Sequence, residues 1–311
     1  MPYINVDEAY VLDNTGLQVD DSVDYANANS NANLIDNWYF VGGGGSSFPI
    51  NQRGASSYSG TGYTIDRWYI SGSGSTTSVE SDCVRFTAGA TSNALLYQFF
   101  PVSTTGTFTI SAYVRGTGGG YIGVCDTTSS HAVITTQSFS NVGANWTLVK
   151  RTFTTSTPIG GIRCRIDMGT SFDVQCIKLE RGAYCTLMND NPPDRALELA
   201  KCQYYFRALR NASTGYLYIG GFAQNSTLFR SYALPPMRPL SSGSPTVSYT
   251  GSPIILYGSS TIAVTGLTSS WGTNAEGGVT LFATVASGLT AYTPCVLRVD
   301  ENSSINISCD L

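Results

Sequence analysis

Hydrophobic and polar residues alternate with period two along much of this chain. Phe108-Thr109-Ile110-Ser111-Ala112-Tyr113-Val114-Arg115 reads so, and Tyr121-Ile122-Gly123-Val124-Cys125 repeats the pattern. Such alternation predicts half-buried β-strands, because successive side chains point to opposite faces. Trp146 to Thr154, Ile162 to Met168 and Phe172 to Leu179 are three more β-rich runs, the last two split by Gly169-Thr170-Ser171. After residue 215 the pattern resumes in Tyr216 to Ile219, Ser260 to Val264, Val279 to Ala283, Cys295 to Val299 and Ile305 to Ser308. Turn signals at intervals of roughly ten residues then predict a sandwich or jelly roll.

Helical periodicity is confined to two places. Asp190-Asn191-Pro192-Pro193 supplies a cap candidate and a first-turn proline, and Arg195 to Phe206 has good helix propensity. Leu197, Ala200, Tyr204 and Ala208 give that segment an apolar stripe. Near the N-terminus Thr15 can cap a helix that places Val19, Val23 and Ala26 on one face. A lone helix with so narrow a stripe needs a partner to pack on. The expected organisation is therefore residues 1–33, a β domain over 34–188, a linker helix over 189–210, and a smaller β domain over 211–311.

Composition sharpens this all-β reading. The chain holds 33 Gly, 37 Ser and 35 Thr in 311 residues, and only 12% of its residues are charged. Gly, Ser and Thr are poor helix formers and suit short strands joined by turns. The net charge of −4 offers no basic field, so nucleic acid is not an expected partner. No apolar run approaches 18 residues, so no transmembrane helix is expected. The first 30 residues lack a basic and an apolar region, so no secretory signal is expected either. The eight cysteines contain no CxxC, and several lie in apolar strand contexts, which predicts buried free thiols. His131 is the only histidine and follows Thr127-Thr128-Ser129-Ser130, which predicts an exposed loop residue and makes a histidine-based catalyst unsupported.

The order of motifs resembles a known module. Asn37-Trp38-Tyr39-Phe40, Asn51-Gln52-Arg53-Gly54 and Tyr63-Thr64-Ile65-Asp66-Arg67-Trp68 look like the start of a carbohydrate-binding-module-like jelly roll found in bacteriophage tail fibres and receptor-binding proteins. Trp146-Thr147 with Phe153-Thr154, then Ile177-Lys178-Leu179-Glu180-Arg181-Gly182, are similar to its end. Glu198 to Tyr205 resembles the helix joining this module to a C-terminal β domain, and Asp7 to Gly16 resembles the N-terminal segment of related virion proteins. The resemblance implies a homotrimeric virion fibre, assembled in the bacterial cytoplasm. In it residues 1–33, through Val19, Val23 and Ala26, would dock to a tail or capsid protein, and the rest would attach to a host surface polysaccharide. Membrane insertion is not implied.

Glycan binding uses aromatic faces against sugar C–H groups, with amides and hydroxyls for hydrogen bonds. The candidates next to Gly/Ser loops are Tyr58, Tyr63, Tyr69, Tyr121 and Trp271; Trp38, Phe40, Tyr97, Phe99 and Phe100, in dense apolar strings, read as core. Trp68 reads as a core anchor, Asp66–Arg67 as a local polar clasp and Glu180 as a structural ion-pair partner. Acidic pairs such as Asp20-Asp21 and Asp300-Glu301 sit in tail or turn positions, which disfavours the two-carboxylate chemistry of a glycosidase. No cofactor is expected, and a loop calcium stays open although no EF-hand spacing occurs. The leading expectation is a non-enzymatic receptor-binding protein. A capsid-mounted head fibre or decoration protein is the second, and a polysaccharide depolymerase the third.

Overall fold

The computed structural model describes residues 31–42, 48–210, 215–238, 244–271, 278–301 and 303–309, with the side chains of 101–103 excepted. Val19, Val23, Ala26 and the docking role expected of them lie outside the described residues. Two compact units divide the chain, Met1–Glu198 and Leu199–Leu311.

The first unit is a jelly-roll β-sandwich. Its strands are β1 (Ser57–Ser59), β2 (Gly62–Tyr63), β3 (Tyr69–Ser71), β4 (Thr76–Val79), β5 (Val84–Thr87), β6 (Ala94–Gly116), β7 (Gly119–Asp126), β8 (Val133–Ser140), β9 (Gly143–Ile166) and β10 (Ser171–Arg181). The long strands β6 and β9 pair antiparallel over most of their length and belong to both layers. Their ladder breaks register between Phe99 and Thr104 and again before Gly106, where the pair passes from one layer to the other. On one side of that break the order is β2-β3-β6-β9-β7-β8; on the other it is β1-β4-β5-β10-β6-β9. The two layers close on one core. Ile70, Leu96, Ile122, Val124, Ile162 and Cys164 from the first meet Phe86, Phe108, Ile110, Ala112, Phe172 and Val174 from the second. The rings of Phe139 on β8 and Phe172 on β10 touch edge-on at 5.0 Å, although three strands separate them in sheet order.

The alternation read from the sequence thus sorts correctly into core and outer faces. Trp38, Phe40 and Trp68 are core residues as expected. The expected Asp66–Arg67 clasp is different in kind, since each side chain reaches another segment. Asp66 accepts from the Gln52 backbone N–H, from Gln52 Nε2 at 2.7 Å and from Arg53 Nη1. Arg67, at φ +74°, reaches Asp36 at 3.1 Å and the Phe99 carbonyl at 2.6 Å. Asn37 organises the same corner: its amide donates to the Ile50 and Asp66 carbonyls, and its backbone N–H donates to Glu198 Oε2 at 2.7 Å. All eight cysteines are free thiols, and seven of them are buried.

On the outer side of the second layer, Asp173 accepts from Arg85 Nε at 2.7 Å and Arg115 Nε at 2.9 Å, while Arg115 also grips Asp82. Burial alone would raise the Asp173 carboxyl, but the two guanidinium groups outweigh it and hold the group below the usual carboxylate range. The folded state therefore binds this proton less readily than the unfolded chain does. The resulting stabilisation is present above the unfolded value of about 3.9 and is lost as pH falls through the lower folded value. Urea midpoints measured across pH should be flat at neutrality and fall below about pH 4. Asp173→Asn should lower the neutral plateau and flatten that acidic fall.

In the second unit, helix α1 (Arg195–Gln203) straddles the division between the units. It is shorter than the expected 189–210 helix. Phe206–Arg210 is instead strand β11, paired with β19 (Ser304–Ser308), which also pairs with β14 (Thr246–Thr250). The expected stripe is also turned outward: Leu197 is 59% exposed, Ala200 and Tyr204 are exposed, and Glu198 and Cys202 face inward. Long-range pairing of Phe206-Arg207-Ala208-Leu209 with Ile305 and Ile307 outweighs local helix propensity. A closed six-stranded barrel completes the unit, made of β12 (Leu217–Asn225), β13 (Leu228–Ser231), β15 (Ile254–Tyr257), β16 (Ser260–Trp271), β17 (Val279–Val285) and β18 (Pro294–Val299). Ile219, Phe229, Ile255, Leu281, Ala283 and Leu297 fill it. Gly221 lets that filling happen, since a Cβ there would lie 2.7 Å from the Phe229 ring.

Candidate functional site

Period-two alternation dictates what the first layer of the sandwich presents outward. Ile70, Leu96, Ile122, Ile162 and Cys164 point into the core, so Tyr69, Tyr97, Tyr121, Arg163 and Arg165 lie on the opposite face. Strand register then brings them side by side. Tyr63 is opposite Tyr69, Tyr69 opposite Tyr97, Tyr97 opposite Arg163, and Tyr121 opposite Arg165.

A continuous ladder of rings results. Tyr63 and Tyr69 meet edge-on at 5.2 Å, Tyr69 and Tyr97 lie 6.5 Å apart, and Tyr97 stacks on Phe99 at 5.3 Å. Phe99 meets the His131 imidazole at 4.4 Å. Three guanidinium groups lie over these rings: Arg53 over Tyr63, Arg163 over Tyr97 and Arg165 over Tyr121 at 5.1 Å. Burial raises the Tyr97 hydroxyl above its ordinary value, with Arg163 opposing, so it stays a neutral phenol at physiological pH. Thr136 and Ser138 of β8 continue the face beyond Tyr121, through their register with Gly123 and Tyr121. Tyr63, Tyr69, Phe99 and His131 are half-buried, so their rings are both held and reachable.

Arg163 is the least satisfied member. Its Nη1 donates to the His131 carbonyl, whereas its buried Nε has no hydrogen-bond acceptor among the described residues. A buried donor without an acceptor is costly. The turn that delivers His131 is itself well built. Asp126 Oδ1 accepts from Thr128 N–H, Thr128 Oγ1 and Ala132 N–H, and these bonds hold its carboxyl below the ordinary range. Among the described residues no group of three metal-ligating side chains forms.

Three of the five expected glycan residues, Tyr63, Tyr69 and Tyr121, therefore share one face. Tyr58 does not join them. It sits in β1 of the other layer, half-buried against the core, with its hydroxyl on Asn51 Oδ1. Burial pushes that hydroxyl upward too. Trp271 ends β16 in the second unit and packs against the barrel core. Tyr97 and Phe99, read from sequence as core, lie on the outer face, where Tyr97 is buried as expected, though outside the core cluster, and Phe99 is half-buried. The dense apolar string Ala94 to Phe100 concealed this, because alternation is invisible where both faces carry rings. His131, expected as an exposed loop residue, is half-buried against Phe99. No local sequence signal could place it there, since the contact depends on how the β7–β8 turn folds back.

Fold and site together define a class: an all-β protein whose jelly-roll sandwich carries an aromatic and arginine-lined sheet face, followed by a β-barrel unit. No protein-family model matches this chain, and no curated protein matches it. Carbohydrate-binding modules are among the solved structures similar to its parts. One described as "CBM4 structure and function" is 11% identical, covering 37% of this chain and 95% of its own, with a TM-score of 0.32. The apo form of BiXyn10A CBM1 is 15% identical, covering 40% and 99%, with a TM-score of 0.31. The tandem CBM22-1–CBM22-2 domain of Paenibacillus barcinonensis Xyn10C is 10% identical, covering 80% and 96%, with a TM-score of 0.28. These values are too low to assign a ligand to this chain.

Proposed function

We propose that this protein binds glycans without catalysis through the outer face of the first sandwich layer. The ring ladder Tyr63–Tyr69–Tyr97–Phe99 carries this reading. Tyr63, Tyr69 and Phe99 are half-exposed around the buried Tyr97, and such aromatic surface, bordered by arginine and hydroxyl side chains, suits a ligand with apolar C–H faces and many hydroxyls. Sugars have that chemistry. The guanidinium groups of Arg163 and Arg165, beside the Tyr97 and Tyr121 rings, supply the charged border.

The setting proposed for this binding is attachment of a bacteriophage fibre to its host, on the resemblance of the motif series set out above. Trimerisation would multiply three weak sites into useful avidity. Binding of the full chain to a panel of bacterial cells, with and without periodate oxidation of surface sugars, tests the reading. Saturable binding abolished by periodate is expected. Tyr69→Ala should weaken it about tenfold, the size of one lost aromatic contact, with an unchanged circular dichroism spectrum. Binding that survives periodate, or that Tyr69→Ala leaves intact, would overturn the assignment of this face.

A further inference from the structure

The second unit exposes aromatic surface of its own. Every large apolar side chain it exposes, among the described residues, is a tyrosine: Tyr204, Tyr216, Tyr218, Tyr232, Tyr249 and Tyr292. Four of these gather around one barrel strand. Ile219, Gly221 and Ala223 of β12 point into the barrel, so Tyr218, Gly220 and Phe222 point outward. Tyr218 is opposite Arg298, whose guanidinium lies 4.2 Å from the Tyr216 ring centroid. Gly220 leaves room for Tyr232, whose ring would be 3.4 Å from a Cβ at that position and whose N–H donates to the Gly220 carbonyl. Tyr232 in turn lies 6.4 Å from Phe222. At the far end of β12, Tyr292 is held at φ +66° and is 82% exposed, with its N–H donating to the Ala223 carbonyl. A non-glycine residue in that conformation is strained, and such strain gathers at functional positions.

Two arginines interrupt this stripe, and they differ. Arg298 is neutralised by Asp300 at 2.9 Å. Arg230, opposite both Phe222 and Phe282 and 5.9 Å over the Phe282 ring, has no carboxylate or other acceptor on its guanidinium among the described residues. Each is half-buried among rings, where an unpaired cation attracts an anion more strongly than it would in open water.

We infer that the outer face of β12 with its two neighbours is a second glycan-binding surface, selective for chains that carry an oxyanion. Sugar rings would lie on Tyr218, Tyr232 and Phe222, and Arg230 would take the carboxylate or sulfate. Pro294, opposite Phe222, and Val296, opposite Gly220, complete the same outer face. The inference does not depend on the sandwich face, because the two surfaces share no residue.

Affinity electrophoresis of the full chain tests it, in gels containing polygalacturonate, dextran sulfate or neutral dextran. The chain carries a net charge of −4, so unspecific attraction to a polyanion is not expected. Retardation is expected in at least one anionic gel and not in dextran, and the gel that retards distinguishes carboxylate from sulfate. Arg230→Gln should reduce it about tenfold or more, as a lost charge-assisted contact does. Tyr218→Ala with Tyr232→Ala should reduce it by a similar factor, and Tyr249→Ala, on β14, should leave it unchanged. The inference falls if neither anionic gel retards the protein. It falls equally if Arg230→Gln has no effect, or if Tyr249→Ala matches the loss. Failure here with periodate-sensitive cell binding intact would remove only this surface.

Discussion

Replacing Lys178 by methionine is expected to cost about 3–5 kcal/mol of folding stability. Lys178 and Glu180 are fully buried on β10, pointing away from the sandwich core. The Lys178 ammonium donates to Thr186 Oγ1 at 2.8 Å and Asp190 Oδ1 at 2.7 Å, and Glu180 Oε2 lies 3.6 Å away. Glu180 also accepts from the Thr186 backbone N–H at 2.8 Å. Methionine preserves the volume but removes the only cation in the contacts just described, leaving two carboxylates facing each other in a poorly hydrated site. Most of the loss is that residual charge and not the worth of the ion pair. Lys178→Met with Glu180→Met should therefore recover a large part of it, which makes the two substitutions strongly non-additive. Urea denaturation of the single and double variants checks this. Additive losses would mean that the two charges are solvated independently.

Trp68→Ala should destabilise the sandwich by a comparable amount, about 3–5 kcal/mol, and lower its melting temperature by roughly 6–20 °C. Trp68 is the largest fully buried side chain in the protein's described part. Its indole meets Phe40 edge-on at 5.8 Å, and its Nε1–H donates to the Asn37 carbonyl at 2.9 Å. Truncation leaves a cavity between the layers and an unsatisfied carbonyl at the corner where Asn37 ties residues 50, 66 and 198 together. Trp68→Phe keeps most of the packing and loses the hydrogen bond, so it should cost much less. Thermal unfolding followed in the far ultraviolet separates the two variants. A Phe variant as unstable as the Ala variant would place the weight on the hydrogen bond.

Much of the architecture was legible in the chain. Period-two runs located β6, β7, β9 and β10, and after residue 215 they located β12 and β16 to β19, because a strand with one buried face must alternate. The tyrosines at 63, 69 and 121 stood out because each adjoins glycine-rich or serine-rich turns. Glu180 was readable as an ion-pair member from its place in the closing motif Lys178-Leu179-Glu180-Arg181, and Lys178 is the cation it meets. Trp146 to Thr154 and Ile162 to Met168 read as separate strands, whereas the first and most of the second belong to one long β9. A strand that bends through a register shift looks interrupted in sequence.

Three things were decided by tertiary structure. Phe206 to Arg210 became a strand because β19, some hundred residues on, offered a pairing partner that a local helix could not match. Tyr97 and Phe99 became part of the ring ladder because β3 and β9 set their outward neighbours. Arg67 and Asp66 found partners in separate segments, Asp36 and Phe99 for the one, Gln52 and Arg53 for the other. Alternation along one strand states which residues share a face. It carries no information on which faces, from strands distant in sequence, lie side by side, and both the proposed glycan face and the tyrosine stripe of the barrel are made by that juxtaposition.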